Sequence, residues 1–401
     1  MGIRIAALFR QDARLWVQGR RHWEQSLNIF NSLAENQNRK RIWIHASSLG
    51  EFEQGKELIE TIRKNHPELI LVLSFFSPSG YEKQKYYKQV DYVCYFPSDI
   101  ASEINSFIQK LNPSLVLFIK YDFWFNALHF LIQRKTPFLF ISMILRPNHY
   151  LMHPLFKPFL IFIKQSRQLF LQNQETYDLL QLRTFKNIQI TGDSRLDRVD
   201  RISKENTPIP KMELFLNSNP VFIAGSIWES DLDIISKGIE HAILNSWQII
   251  LVPHLTDEVH LLQVENRFPT KTIRYSSLVK KTNYPILIMD QVGFLSSLYK
   301  YALFAYVGGG FGKGIHNTLE PVSHRILVCF GPKYHKFPEA QEFIKKGIGI
   351  VIHKPEDFVS LFDEVSRISI EIKASIDDYF SKNLGASQKI YQYLIDEQLI
   401  R

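Results

Sequence analysis

From residue 41 onward, short runs rich in Ile, Val, Leu and Phe alternate with segments of helical length and amphipathic spacing. That is the pattern of parallel strands joined by crossover helices. In the first half the runs at 42–46, 69–75, 92–95, 115–119, 138–142, 169–171 and 188–191 predict strands, with helices between them such as 52–65 and 102–111. A polar, proline-containing stretch at 198–211 interrupts the alternation and reads as an interdomain linker. The pattern then restarts, with strands expected at 221–224, 248–252, 286–289, 303–307, 326–330 and 348–352. The final segment, 372–401, is helical in pattern and long enough to pack back across the cleft. The expectation is an α/β protein of two Rossmann-like domains facing a central cleft: 1–197, the linker, and 212–401 with its terminal helix.

Composition narrows the class. Apolar residues make up 45% of the 401 and charged residues 22%, which excludes disordered, collagen-like and coiled-coil chains. The two cysteines, Cys94 and Cys329, each sit inside an apolar run, as expected in a reducing compartment. No apolar stretch approaches the roughly 18 residues of a membrane span, and no signal-peptide pattern is present, so the reading is of a chain neither exported nor membrane-spanning.

The net charge of +8 calls for an anionic partner. Residues 1–41 supply a net +5 of it, with an apolar start at 3–9 and Trp16 and Trp23 among the arginines. That composition suits an anionic membrane surface, and it also suits an ordinary solvated basic helix.

Two constellations carry candidate chemistry. The first, HASSLGE at 45–51, lies where the first strong strand gives way to its helix. Ligands collect at the carboxyl ends of parallel strands, so Glu51 there could serve as a general base toward a hydroxyl. It could equally complement the positive end of the helix dipole. The second, GGGFGKGIHNTLEP at 308–321, runs from a strand through a glycine-rich loop to a helix start, a geometry that presents N–H groups to phosphate. Gly314 stands where a Walker A loop needs Ser or Thr, and the glycine spacing is not that of a dinucleotide fingerprint. Asn317 and Glu320 follow in the same turn, as acceptors suited to ribose hydroxyls. Ala224-Gly225-Ser226, Pro253-His254 and Asp290 to Phe294 fall at other strand ends of the same half, where one nucleotide pocket would gather its loops. Asp231 and Asp233 resemble an acidic pair that binds a metal–nucleotide complex, but on a predicted helix. No cluster has metal-ligand spacing.

In order and spacing these segments resemble the bacterial 3-deoxy-D-manno-octulosonic acid (Kdo) transferases over roughly 15–390. HASSLGE, SFFSPSGYE (74–82), TGDSRLD (191–197), AGSIWESD (224–231) and YVGGGFGKGIHNTLEPVSH (306–324) carry the likeness, the last most specifically. The resemblance implies a GT-B glycosyltransferase fold and inverting, metal-independent transfer with no cofactor. It implies CMP-Kdo as donor and a lipid A precursor as acceptor, with no nucleic acid partner. It places the chain peripherally on the anionic cytoplasmic face of the inner membrane. Glu51 becomes the catalytic base, and Arg195, where lysine is usual, the cation that stabilises developing charge. CMP contacts carry over to Pro253 and His254, to Val292, Gly293 and Phe294, and to Asn317, Thr318, Leu319 and Glu320.

The chain departs from the family pattern at several positions. Lys120 stands at an acidic transition-state position and only Asp122 keeps a carboxylate nearby. Trp228 replaces a histidine, no arginine precedes His254, and the family's long N-terminal hydrophobic anchor is reduced to 3–9. Two other readings stay open: a GT-B transferase or epimerase using a UDP-sugar, and a catalytically silent membrane-associated homologue.

Overall fold

All seven strands expected in the first half form. In the computed structural model, which describes residues 10–36, 38–120, 123–205 and 207–400, they are β1 (Arg41–Ala46), β2 (Ile70–Phe75), β3 (Tyr92–Tyr95), β4 (Leu115–Ile119), β5 (Phe138–Met143), β6 (Gln168–Leu171) and β7 (Ile188–Ile190). They pair in parallel in the order β3-β2-β1-β4-β5-β6-β7. Successive side chains on a strand point to opposite faces, and here both faces are covered. Trp43 belongs to one core cluster and its neighbours Ile42 and Ile44 to the other, and all three are buried.

The second half repeats the plan. Its strands are β8 (Val221–Ile227), β9 (Gln248–Pro253), β10 (Thr272–Arg274), β11 (Ile286–Ile288), β12 (Phe304–Val307), β13 (Leu327–Phe330) and β14 (Gly349–Val351), in the order β10-β11-β9-β8-β12-β13-β14. Only β10 was not expected. It has three residues, all partly exposed at the sheet edge, and Arg274 breaks any apolar run. The strand order reverses between β1 and β4 in the first sheet and between β8 and β12 in the second, where β11 is also inserted between β9 and β10.

The division of the chain differs from the expected one at two places. One compact unit comprises residues up to 197 together with 383 onward, and the other comprises 198–382. The expected linker is helical over its first part, within the helix Ser194–Lys204. Amphipathic spacing there (Leu196, Val199) favours a helix despite the polar composition. The terminal helix Ala386–Asp396, expected with the second domain, packs in the first. Its Ile390 and Leu394 join Phe52, Leu58, Ile59 and Ile62 of the helix Leu49–Asn65 in one buried cluster. Asp197 fixes this return: its two carboxylate oxygens accept the backbone N–H groups of Gly385 and Ser387, both at 2.6 Å. That satisfies two of the unpaired N–H groups at the start of the terminal helix with a negative charge.

The basic N-terminal segment is also used in packing. The helices Gln11–Gly19 and Trp23–Ser32 bury Ala13, Leu27 and Phe30. Trp16 lies edge-on to Phe76 with centroids 5.7 Å apart, and Trp23 edge-on to Phe107 at 5.5 Å. The Arg20 guanidinium sits 3.8 Å over Trp16 and donates to the carbonyls of Trp16 and Phe76, and burial pushes its pKa down to about 9. The tryptophans expected at a bilayer interface are therefore engaged within the unit. Residues 3–9 lie outside the described residues.

Replacing Asp197 with Ala should destabilise the protein by about 2–3 kcal/mol, since a helix cap is worth up to ~2 and a charged acceptor strengthens its bonds. Asp396→Ala, on the exposed end of the same helix, should cost under about 0.5 kcal/mol. Urea unfolding followed by far-UV circular dichroism measures both, and equal midpoints for the two variants would remove Asp197 from this role.

Candidate functional site

In the first unit the chemistry gathers at the carboxyl edge of the sheet, around the β1/β4 reversal. After Ala46 the chain turns through Ser47 and Ser48 into the helix Leu49–Asn65, whose third residue is Glu51. Glu51 Oε2 accepts the backbone N–H of Ser47 at 2.6 Å and of Ser48 at 3.2 Å, a capping arrangement. The helix can sit close to the sheet because Gly55 has no side chain there; a Cβ would collide with the Ile119 side chain at the end of β4. The residue after Ile119 is Lys120, held at φ 65° while its N–H donates to Ile141 O at 2.8 Å. Ser142, at the end of β5, also has a positive φ, where the β5/β6 register shifts. Side chains in such backbone conformations are strained, and strain of this kind concentrates at functional sites.

Gln54, one turn beyond Glu51, connects this helix to the TGDSRLD segment. Its carbonyl accepts the Ser194 hydroxyl, which also meets Ser142 Oγ at 2.7 Å. Beside Ser194, Asp193 binds Arg195 through the backbone N–H (3.0 Å), Nε (3.0 Å) and Nη2 (2.6 Å). Burial alone would raise the Asp193 pKa, but Arg195 and then Lys120 outweigh it and hold the carboxylate below its usual range. Lys120 and Arg195 therefore share one anionic neighbour that the sequence reading had not singled out. Asp122 falls in 121–122, outside the described residues.

The histidine of HASSLGE has a structural role. His45 is fully buried, its Nε2 accepts from Trp124 Nε1 at 2.9 Å, and its Nδ1 meets Ser74 Oγ at 2.8 Å. Burial, and then the charge of Arg20, brings its pKa down to about 3, so it is neutral. Ser74 Oγ also accepts from Trp43 Nε1 at 2.7 Å.

The second unit builds a different environment at the β8/β12 reversal. β8 bulges at Ser226 (φ 54°), and the glycine-rich loop follows β12. The loop was expected to offer its amides to phosphate. Most are already used: Gly308 N–H donates to Gly225 O, Gly309 N–H to Asp231 Oδ2, those of Gly312 and Gly314 to Gly309 O, and that of His316 to Gly308 O, all at 2.8–3.1 Å. The glycines are required instead for close packing of backbones. A Cβ on Gly308 would strike Ser226 O, and one on Gly310 would strike the Gly331 backbone.

Asp231 organises the loop. It is buried and accepts from Gly309 N–H (2.8 Å), Trp228 N–H (2.9 Å) and the Tyr306 hydroxyl (2.8 Å), while Asp233 pairs with Arg267. These bonds account for the placement of both acidic residues. Among the described residues no three His, Cys, Asp or Glu side chains gather as metal ligands.

Above the loop Trp228 and His316 lie nearly coplanar, at 17°, with Trp228 Nε1 donating to His316 Nε2 at 3.1 Å. His254 stacks on both rings, with centroids 4.4 Å from each. A donor at Nε2 requires a lone pair there, so the His316 proton resides on Nδ1. Burial, followed by His254, brings its pKa down to about 4.

The other expected contacts are spread along the same edge. His254 N–H donates to Ile227 O at 2.9 Å just past Pro253, the last residue of β9. Val292 and Gly293 are exposed after β11, and Phe294 packs on Tyr275. Asn317 donates to Glu320 Oε1 and accepts from Leu319 N–H, both at 3.0 Å, while Thr318 and Leu319 are buried. His324 meets Ser296 O at 2.8 Å, joining the turn after Glu320 to the one after Phe294. His254 and His316 are thus brought into contact, and the His324–Ser296 bond joins the elements that follow the 292–294 and 317–320 segments.

Residues 21–198 match the family model described as 3-deoxy-D-manno-octulosonic-acid transferase (kdotransferase). The chain is 25% identical over 339 residues to the 3-deoxy-D-manno-octulosonic acid transferase of Aquifex aeolicus, covering 83% of this chain and 88% of that one. Its first half thus matches the Kdo transferase family model, and most of the chain's length is similar to Kdo transferases. A bifunctional glycosyltransferase/methyltransferase of Fusobacterium nucleatum is 27% identical over 364 residues, 85% of this chain, which spans only 55% of that relative's length. The UDP-GlcNAc 2-epimerase of Neisseria meningitidis has the same two-sheet GT-B architecture as this chain. Its TM-score is 0.58 at 14% identity, over 89% of this chain and 100% of that one.

The ring cluster makes a pH-dependent prediction. The folded pKa of His316 lies below its ordinary 6.5, so the unfolded chain binds more protons between pH 6.5 and about 4. This group's contribution to stability is complete above that window and is lost as pH falls through it. By NMR, His316 should titrate near pH 4 as the Nδ1–H tautomer, and Trp228→Phe, which removes the donor to Nε2, should raise its midpoint. A midpoint near 6.5 in the unaltered chain, or no change in the variant, contradicts this.

Proposed function

We propose that this chain transfers Kdo from CMP-Kdo to a sugar hydroxyl of a lipid A precursor, with inversion at the anomeric carbon and without a metal or other cofactor. The observation that carries the reading is Glu51, oriented by two backbone N–H groups at the reversal point of the first sheet and one helical turn from the Ser194 contact that seats Asp193 and Arg195. Ligands of open α/β sheets bind at such reversals.

In the proposed step Glu51 takes the proton of the acceptor hydroxyl as its oxygen bonds to the Kdo anomeric carbon. The bond from that carbon to the CMP phosphate oxygen breaks, and its electron pair leaves with CMP. Arg195, aligned by Asp193, and Lys120 supply positive charge for the developing anion. Lys120 brings to the β4 end the opposite charge from the family's acidic residue, so charge stabilisation rather than proton transfer is its role here. The second unit holds the donor: His254 offers a ring face to the base, Val292 to Phe294 bound the same pocket, and Asn317 with Glu320 meets the ribose. A lipid-linked acceptor calls for peripheral attachment to the cytoplasmic face of the inner membrane. Among the described residues no helix is long and apolar enough to cross a bilayer.

Glu51→Gln should reduce transfer by roughly 10²–10⁴-fold, the usual worth of a general base, and leave CMP affinity nearly unchanged. Retention of more than about a tenth of the turnover would sink the base assignment. Glu320→Ala should instead weaken CMP binding in calorimetric titration, with UDP as the control nucleotide. If CMP bound no better than UDP to the unaltered chain, the donor assignment would fall.

A further inference from the structure

Most N–H groups of the glycine-rich loop are bound within the second unit. Besides those of Gly308, Gly309, Gly312, Gly314 and His316, that of Phe311 is drawn onto Asp231. The side-chain amide of Asn317 donates to Glu320. Lys333, the cation beside the loop, is pulled onto loop carbonyls, donating from Nζ to Phe311 O at 3.2 Å and to Gly312 O at 2.8 Å. The directional contact to an anion arriving here is therefore left to another side chain.

His316 is placed to make it. A Cβ on Gly309 would lie 3.2 Å from His316 Cδ2 and 3.3 Å from its Nε2, so this edge of the ring is turned onto the loop. Nε2 also accepts from Trp228 Nε1 at 3.1 Å, and His254 stacks on the ring with centroids 4.4 Å apart. Nδ1 is the ring atom opposite the Cδ2–Nε2 edge. It has no partner among the described residues and is not closed off from solvent. The indole N–H leaves Nε2 as an acceptor only, so the proton sits on the nitrogen that faces outward.

We propose that His316 binds the donor's phosphate, donating from Nδ1–H to one of its oxygens, and that Trp228 is the positioning residue that keeps the proton there. The inference rests on the reading of a CMP-linked donor. Phosphate is favoured over the carboxylate of the sugar because His316 precedes Asn317, which with Glu320 meets the ribose in that reading, and the phosphate is the ribose's immediate neighbour. A charged histidine would attract an anion from any side, whereas a neutral N–H of fixed direction favours an oxygen at one place. With one nitrogen bonded and one face stacked, the imidazole cannot turn Nε2 outward without giving up the Trp228 bond. The direction is set before the ligand arrives.

Calorimetric titration of CMP and of cytidine into the full-length protein tests this, because the ratio of the two affinities isolates the phosphate. His316→Phe, which keeps a ring against His254 but has no N–H, should lower that ratio by roughly ten-fold or more, the worth of a hydrogen bond to a charged group. His316→Asn, whose amide N–H stands near the place of Nδ1, should hold the ratio within about three-fold of the parent. Trp228→Phe keeps an aromatic ring but releases the tautomer, so that only part of the population carries the proton on Nδ1. Its ratio should fall by roughly two- to five-fold, in step with the Nδ1–H fraction read from ¹⁵N shifts. A ratio unchanged in His316→Phe, an equal fall for CMP and cytidine, or a loss in His316→Asn as large as in His316→Phe would each overturn the proposal. So would a deficit seen with intact CMP-Kdo and not with CMP, which assigns the contact to the sugar's carboxylate. If UMP binds the unaltered chain as tightly as CMP, the cytidine reading fails by itself, and UMP against uridine then reads the same phosphate contact in the same variants.

Discussion

A parallel sheet buried on both faces can expose polar chemistry only where its strands end, and the reversal of strand order opens space there for a ligand. The rest of this molecule follows from that constraint, applied twice. Ile42, Trp43 and Ile44 cannot carry function because both faces of β1 are core. The residues immediately beyond β1, β4, β8 and β12 can, and those are Ser47 to Glu51, Lys120, Trp228 and the glycine-rich loop. The positive φ angles of Lys120, Ser142 and Ser226 belong to the same edge. There the strand must leave the ladder abruptly, and packing of the layers below holds the strained turns in place.

The strands were legible because burial on both faces writes near-continuous apolar runs, from 42–46 to 348–352, that need no knowledge of partners. β10 was not, since a three-residue edge strand with an arginine has neither length nor pattern. The terminal helix was legible as a helix but not in its placement. What holds it is a carboxylate 188 residues away in sequence, Asp197, whose role depends on tertiary contact alone. Similarly, Glu51 could be nominated from its place after the first strand and Arg195 from the family resemblance, whereas Asp193, which orders Arg195, looked like any turn aspartate. His316 was visible only as a letter inside a glycine-rich segment, and the signal that could have marked it was Trp228, an indole at a histidine position with one N–H to donate. The glycines themselves were read as presenting N–H groups to phosphate. They turned out to answer a packing demand, with Gly308 against Ser226 and Gly310 against Gly331.

The two units reach opposite electrostatic solutions at equivalent positions. At the first reversal, two cations act on a half-buried carboxylate, and a second carboxylate is fixed by backbone N–H groups. At the second, the one buried carboxylate is consumed by the loop it supports, and the rings beside it are a neutral imidazole and an indole. A neutral histidine hydrogen-bonded at Nε2 has only a donor, Nδ1–H, left to offer, so it can orient an anionic oxygen but cannot neutralise it. A protonated histidine in place of Trp228 would raise the cost of bringing His316 into contact with His254. The indole removes that repulsion while keeping the stacking surface and fixing the tautomer.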